Sequence, residues 1–164
     1  MNRPIAVEDL ADRLPAKARL IGIDLGTKTI GLALSDVERR LASPLKTLSR
    51  TAFQKDADAL RAVFAEFEIA AIVLGLPLDL EGRDSRRTQS TRAFARNLAA
   101  RTDLPIAFWD ERFSTAVVLR SLIDSDVSRA RRAEVVDRMA AAYILQGALD
   151  RLAGLSGRTV VSNS

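Results

Sequence analysis

The sequence contains no cysteine and no histidine. Without cysteine there is no disulfide, no thiol nucleophile and no thiolate metal site, a composition that suits the cytoplasm. Without histidine, a Ser–His–Asp triad, a histidine general base and a histidine-ligated zinc are all excluded. Any chemistry must come from carboxylates, Lys and Arg, hydroxyls, the backbone or a bound ion. Hard oxygen ligands select Mg²⁺ or Mn²⁺ over softer metals. Long apolar runs are missing as well: none approaches the roughly 20 residues that span a bilayer, so no membrane partner is expected. Residues 1–20 carry Glu8, Asp9 and Asp12 and lack an unbroken apolar stretch, which does not read as a secretory signal.

What is present is ordinary for one globular domain: 164 residues, 48% apolar and 28% charged. Lys and Arg number 25 against 21 Asp and Glu, a net charge of +4. Arginine is clustered, at Arg83, Arg86, Arg87, Arg92 and Arg96 and again at Arg129, Arg131 and Arg132. Such clusters suit a polyanion, because the guanidinium fork pairs with phosphate, and equally suit a solvated helix face.

The spacing predicts a leader over residues 1–18, then three apolar runs at 20–25, 29–34 and 41–48. The Gly26-Thr27-Lys28 turn joins the first two as a hairpin, and Pro44 suggests an edge position for the third. Phe53, Ala57, Leu60, Phe64 and Phe67 then repeat at helical spacing over 51–67. Residues 70–74 read as a buried strand, and 76–84 as a loop. Ser85 caps a helix to about residue 100, 105–109 read as another strand, and Ser114 or Thr115 caps a helix bearing Val118, Leu119, Leu122 and Ile123. A last helix covers about 131–152, and 153–164 read as a polar, disordered tail. The expected order βββ–α–β–α–β–α–α gives a mixed five-stranded sheet, an antiparallel meander followed by parallel strands, with helices on both faces. Residues 19–152 form the one domain.

Three carboxylates stand where the pattern does not call for them, although the pair Asp110-Glu111 reads equally as a solvated loop paired with Arg112. Asp24 lies within the most apolar strand, where a carboxylate is costly unless the Gly26–Lys28 turn satisfies it or it serves as a ligand. Glu111 follows the strand at 105–109, at the carboxyl end where open α/β sheets bind ligands. Its neighbour Asp110 is the alternative, although adjacent residues point in different directions. Asp137 lies 3, 4, 7, 8 and 11 residues before Ala140, Ala141, Ile144, Leu145 and Ala148, in line with the core-facing stripe of its helix. The helix dipole explains an Asp in a first turn but not its place on the apolar face. Three carboxylates in one partly dry pocket repel, and a divalent cation resolves that repulsion. Two ions about 4 Å apart can activate a water and stabilise the leaving oxygen of a phosphodiester.

Four segments in order, Gly22-Ile23-Asp24-Leu25-Gly26-Thr27-Lys28-Thr29-Ile30-Gly31, Val73-Leu74-Gly75-Leu76-Pro77-Leu78, Asp110-Glu111-Arg112-Phe113-Ser114-Thr115 and Val136-Asp137-Arg138-Met139-Ala140-Ala141, resemble the YqgF/RuvX family. The resemblance covers about residues 19–152. It implies a ribonuclease H-like fold, catalytic and metal-binding carboxylates at Asp24, Glu111 and Asp137, Mg²⁺ or Mn²⁺ as cofactor, a cytoplasmic location and processing of the 5′ end of pre-16S rRNA. It also leaves open a Holliday junction resolvase-like activity on branched DNA, with ribosomal particles as further partners and a monomer or homodimer as the assembly. The sequence departs from the family in its longer leader and tail, and in Val135 and Val136 where a lysine often precedes the helix Asp.

Several cations are candidate nucleic-acid contacts: Lys28 beside the first strand, Arg83, Arg86 and Arg87 after the second motif, and Arg131 and Arg132 before Asp137. The resemblance adds Arg112, which could instead pair with Asp110. Lys28 and Thr27 could equally shape the hairpin, Trp109 reads as core, and Asp110 or Asp79 could supply a fourth carboxylate. Two other classes compete with the nuclease. Asp-Leu-Gly-Thr-Lys also resembles the phosphate loop of actin-like kinases, which need a second lobe that 164 residues do not provide. A non-catalytic RNA- or ribosome-binding module gains nothing from clustered negative charge facing a phosphate chain.

Overall fold

The strand β2 (Arg19–Leu25) returns as β3 (Thr29–Ser35) and then β4 (Ala42–Ser49), the antiparallel meander that the apolar runs predict. In this computed structural model, which describes residues 2–113 and 129–161, β4 is an edge strand. Pro44, which lacks an N–H to give to a ladder, sits there beside a register shift. Helix α1 (Phe53–Glu66) leads to β5 (Ile69–Leu76), and helix α2 (Arg86–Ala99) leads to β6 (Ile106–Asp110). β5 pairs parallel with β2, and β6 parallel with β5, as helix crossovers require. Ser85 caps α2 as its position predicts. Its hydroxyl accepts from Thr88 N at 3.3 Å, and Thr88 Oγ1 accepts in return from Ser85 N at 2.9 Å. Thr88 Oγ1 also donates to the Pro77 carbonyl, which fastens the start of α2 to the end of β5.

Among the described residues the sheet has six strands where five were expected: with β1 (Ile5–Ala6) at one edge, the order is β1-β6-β5-β2-β3-β4. The sixth comes from the expected leader: β1 (Ile5–Ala6) pairs parallel with β6. The 3-10 helix η1 (Val7–Arg13) follows it and buries Val7 and Leu10. Two paired residues leave no periodicity to read, and the apolar Val7 and Leu10 supply the reason to dock. At the other end, helix α3 (Arg129–Val161) continues past Leu152 into the segment read as tail, with no proline to stop it. The helix expected after Ser114 or Thr115, with Val118, Leu119, Leu122 and Ile123, lies outside the described residues.

Alternation along the strands divides the core into two layers. Ile21, Ile23, Ile30, Leu32, Ile72 and Leu74 face α1 and α2, where they meet Leu60, Phe64, Phe94 and Leu98. Leu20, Ala33, Ala71, Val73 and Ala107 face α3, where they meet Ala141, Ile144, Leu145 and Ala148. α3 crosses this second face over β2, β3 and β4.

Candidate active site

β2, β5 and β6 run parallel, so their carboxyl ends open on one edge of the sheet, where open α/β sheets place ligands. Asp24 is the penultimate residue of β2 and 1% exposed. It pairs directly with Gly31 of β3. On the other side Ile23 pairs with Leu74, so Gly75 is the next residue along β5. Asp24 therefore stands between two glycines, and each yields its space to another part of the site. A Cβ on Gly31 would overlap the backbone carbonyl of Asp137, so only glycine lets α3 descend this close to the sheet. A Cβ on Gly75 would lie 2.8 Å from Glu111 Oε1 and 2.5 Å from Ile144 Cδ1, so the carboxylate of Glu111 occupies the side-chain position that β5 leaves open.

Glu111 opens the short 3-10 turn η2 (Glu111–Phe113) directly after β6 and is 4% exposed. Asp137 lies on α3, 9% exposed, and accepts a hydrogen bond at Oδ2 from Thr29 Oγ1. A Cβ on Gly26 would be 3.5 Å from the same oxygen, so Asp137 reaches down to the β2–β3 turn. Asp24, Glu111 and Asp137 thus border one strand end from β2, η2 and α3. As placed, no three acidic side chains among the described residues form a metal-holding cluster. The donor chemistry nonetheless fits a hard divalent cation: the three are oxygen donors, nearly sealed from water, on a sheet edge relieved by glycine.

Asp110 is engaged elsewhere. Its carboxylate takes Arg112 Nη2 at 2.6 Å and Nε at 3.0 Å, and this pairing holds the guanidinium proton more firmly than usual. Arg112 Nη1 also donates to Leu80 O at 3.4 Å and lies against Gly82, which ties the loop after β5 to the end of β6. Arg112 thus forms the ion pair with Asp110 that the sequence offered beside a phosphate contact. Arg83 is exposed and paired with Asp79 and Glu81. The Arg83 N–H, foremost, holds the Asp79 carboxyl below its ordinary range. Asp79 is used by this loop rather than turned to the carboxylate set. Lys28, Arg86 and Arg87 are exposed. Arg87 Nη2 reaches Leu25 O at 3.4 Å, beside Asp24. Arg131 and Arg132 begin α3, and their side chains lie outside the described residues.

Sequence reasoning missed Thr29, Gly31, Gly75 and Arg50. Arg50 Nη1 donates to Gly26 O at 2.7 Å and its backbone N to Lys28 O at 2.8 Å, so it holds the turn that carries Thr27 and Lys28. Period-2 alternation was the available signal for the first three. Thr29 and Gly31 share the face of Asp24, and so does Gly75 on the next strand.

An antiparallel meander continued by parallel crossovers, helices on both faces and acidic side chains at the shared strand ends define a ribonuclease H-like protein. Solved resolvases share the fold. Thermus thermophilus RuvC, in a complex with a Holliday junction substrate, aligns with a TM-score of 0.52 at 13% identity, over 82% of this chain and 96% of that one. The yeast mitochondrial Holliday junction resolvase Ydc2 aligns with a TM-score of 0.52 at 15% identity, over 92% and 86%. The chain belongs to the RuvX family, whose profile, described as Holliday junction resolvase, matches residues 18–151. A relative from Methylocella silvestris is 60% identical over 148 residues, 90% of this chain and 92% of that one. One from Beijerinckia indica is 59% identical over 152 residues, 93% and 92%. Both carry the name of a candidate pre-16S rRNA nuclease.

Proposed function

We propose that this chain is a metal-dependent nuclease that trims the 5′ end of pre-16S rRNA in the cytoplasm. Phosphodiester hydrolysis is the activity that the family's resolvase description and the nuclease names of its relatives have in common. The observation that carries the reading is the placement of Asp24, Glu111 and Asp137 at one strand end, on the face where glycines admit both α3 and the Glu111 side chain. These three residues would hold Mg²⁺ or Mn²⁺, which when bound supplies an activated water and charge neutralisation for the leaving oxygen. Thr29 fixes one oxygen of Asp137 and so sets which way the other faces. Burial removes competing solvent and strengthens every charge interaction within the site.

Branched DNA is the second reading, favoured by the family description and by the junction bound to the Thermus fold relative. One experiment separates the two. Wild type and Asp137→Asn are incubated with Mn²⁺ or Mg²⁺ and either a 5′-extended pre-16S rRNA fragment or a four-way DNA junction. Trimming of the RNA by wild type, reduced at least about 100-fold in the variant, is the expected result, since a lost metal ligand forfeits several kcal/mol of charge stabilisation. Cleavage of the junction alone would move the substrate to branched DNA. Metal-independent RNA binding without turnover would make the chain a binding module.

A further inference from the structure

On the sheet face opposite the carboxylates lies a groove of about 1000 Å³ whose charged lining is almost wholly arginine. α2 contributes Arg92 and Arg96, α1 contributes Arg61, the segment after α2 contributes Arg101, and the N-terminal strand segment contributes Arg3. The wall formed by that segment is built, not incidental: Asn2 Nδ2 donates to Thr102 O at 2.9 Å and to Leu104 O at 3.0 Å. Arg92 is paired with Asp84 at 2.9 Å and lies over the Phe108 ring at 5.5 Å, and Arg101 is paired with Asp58 at 3.1 Å. Arg3, Arg61 and Arg96 are exposed and make no ion pair among the described residues. Asp103 is the one acidic residue of the lining among the described residues.

Three guanidiniums without an ion pair outnumber the carboxylate of Asp103 around one concavity and repel one another, and a low-dielectric wall focuses their field outward. We propose that this groove is a second RNA-contact surface, which grips the phosphodiester backbone of single-stranded RNA at a distance from the scissile bond. The charges are distributed along three segments and not gathered on one point, so they fit a chain of phosphates better than a compact anion. The groove also lies toward the C-terminal end of α2, where the helix dipole is negative. A compact polyphosphate would find no cradle of helix N–H groups there, so the side chains alone must supply the attraction. Arg92 and Arg96 are one helical turn apart, comparable to the step between neighbouring phosphates of one strand. α2 starts at the catalytic edge, where Arg87 touches the Leu25 carbonyl, and ends at the groove, so its arginines connect the two sites. The inference rests on the reading of the chain as an RNA nuclease, but binding tests it independently of cleavage.

The test is fluorescence anisotropy of labelled single-stranded RNA without metal, against salt concentration, for wild type, R61Q/R96Q and R61K/R96K. A short RNA spanning only the cleavage junction and a long one extended beyond it serve as probes. Loss of two phosphate contacts lowers the slope of log affinity against log salt by about 1.4 and weakens binding of the long RNA by at least about tenfold near 0.1 M salt. Binding and cleavage of the short RNA are expected to be unchanged, and R61K/R96K is expected to restore the slope, since it retains charge. An unchanged slope in R61Q/R96Q on the long RNA overturns the groove while leaving the nuclease reading intact. Wild type that binds the long RNA with the expected slope difference yet cleaves nothing overturns the nuclease reading and retains the groove. Displacement of the long RNA by inorganic pyrophosphate at equal phosphate concentration makes the groove a small-anion site and overturns the proposal.

Discussion

Toward α1 and α2, the central strands present Ile21, Ile23, Ile72 and Leu74, fully buried and branched. Toward α3, the same two strands present Gly22, Asp24, Ala71, Val73 and Gly75, and β3 adds Gly31 and Ala33. One side is filled by volume, the other by close approach. A Cβ on Gly22 would lie 2.7 Å from Ala141 O and from Leu145 Cβ, and one on Gly31 would run into α3 itself. On the filled side a lost methylene leaves a void. On the close side a gained carbon displaces a helix or a carboxylate. The site lies on the close side because only there can charged groups from a strand, a turn and a helix meet over small residues.

Gly31→Ala breaks the comparison most severely. The added carbon meets backbone, which cannot swing aside, so α3 must lift from the sheet and carry Asp137 with it. The expected loss is about 3 kcal/mol of stability, read by chemical denaturation, together with loss of cleavage by the fraction that stays folded. Gly75→Ala is the sharper variant. Its added carbon meets the Ile144 Cδ1 methyl and the end of the Glu111 side chain, which can move, so stability changes little. Displacement of Glu111 is expected to lower kcat roughly 100-fold. A Gly75→Ala enzyme of wild-type kcat would show that the space Gly75 leaves open does not set the catalytic placement of Glu111.

Ile23→Val on the filled side supplies the opposite pattern. It removes one buried methylene from the layer under α1 and α2 and is expected to cost about 1 kcal/mol with kcat unchanged. Thr29→Val is isosteric and lies on the close side. Loss of the hydrogen bond to Asp137 is expected to cost about 1 kcal/mol and to lower kcat several-fold. A kcat unaffected by Thr29→Val, with the stability loss intact, would confine Thr29 to holding the fold.

Much of this architecture is legible in the chain. Apolar runs separated by Gly26-Thr27-Lys28 announce the hairpin, Ser85 announces the start of α2, and the stripe from Asp137 through Ala148 announces which face of α3 is buried. The burial of Asp24, Glu111 and Asp137 follows from the same patterns. Alternation places Thr29 on the face of Asp24, but its bond to Asp137 is not legible, because that partner stands 108 residues away and only packing of α3 brings the two together. Gly31 and Gly75 look like ordinary small residues until the helix above them is placed. β1 carries no periodic signal in two residues, and the arginine groove requires α1, α2 and the N-terminal segment to be assembled before its cations face one space.

The smallest expected effect lies on the α3 side but away from the site. Arg151 of α3 pairs with Glu8 of η1 at 3.1 Å, and both side chains are partly exposed. Fourteen residues separate Arg151 from Asp137, about 21 Å of helix. The Glu8 carboxyl lies below its ordinary value of 4.5, held there by its own backbone N–H first and by the Arg151 guanidinium second. Because the folded pKa is the lower one, the pair contributes stability above pH 4.5 and loses it as the pH falls through the folded value. Glu8→Gln is therefore expected to be less stable than wild type at neutral pH, by a few tenths of a kcal/mol after solvent screening, and equal to it in acid. Raising the salt concentration shrinks the difference. Cleavage by Glu8→Gln stays at the wild-type level, because anchoring η1 to α3 leaves the Gly31 contact and the position of Asp137 untouched. A Glu8→Gln variant with reduced kcat at full folding would instead mean that the remote end of α3 sets the position of its catalytic end, so that close packing along the whole helix, and not only over Gly31, governs the site.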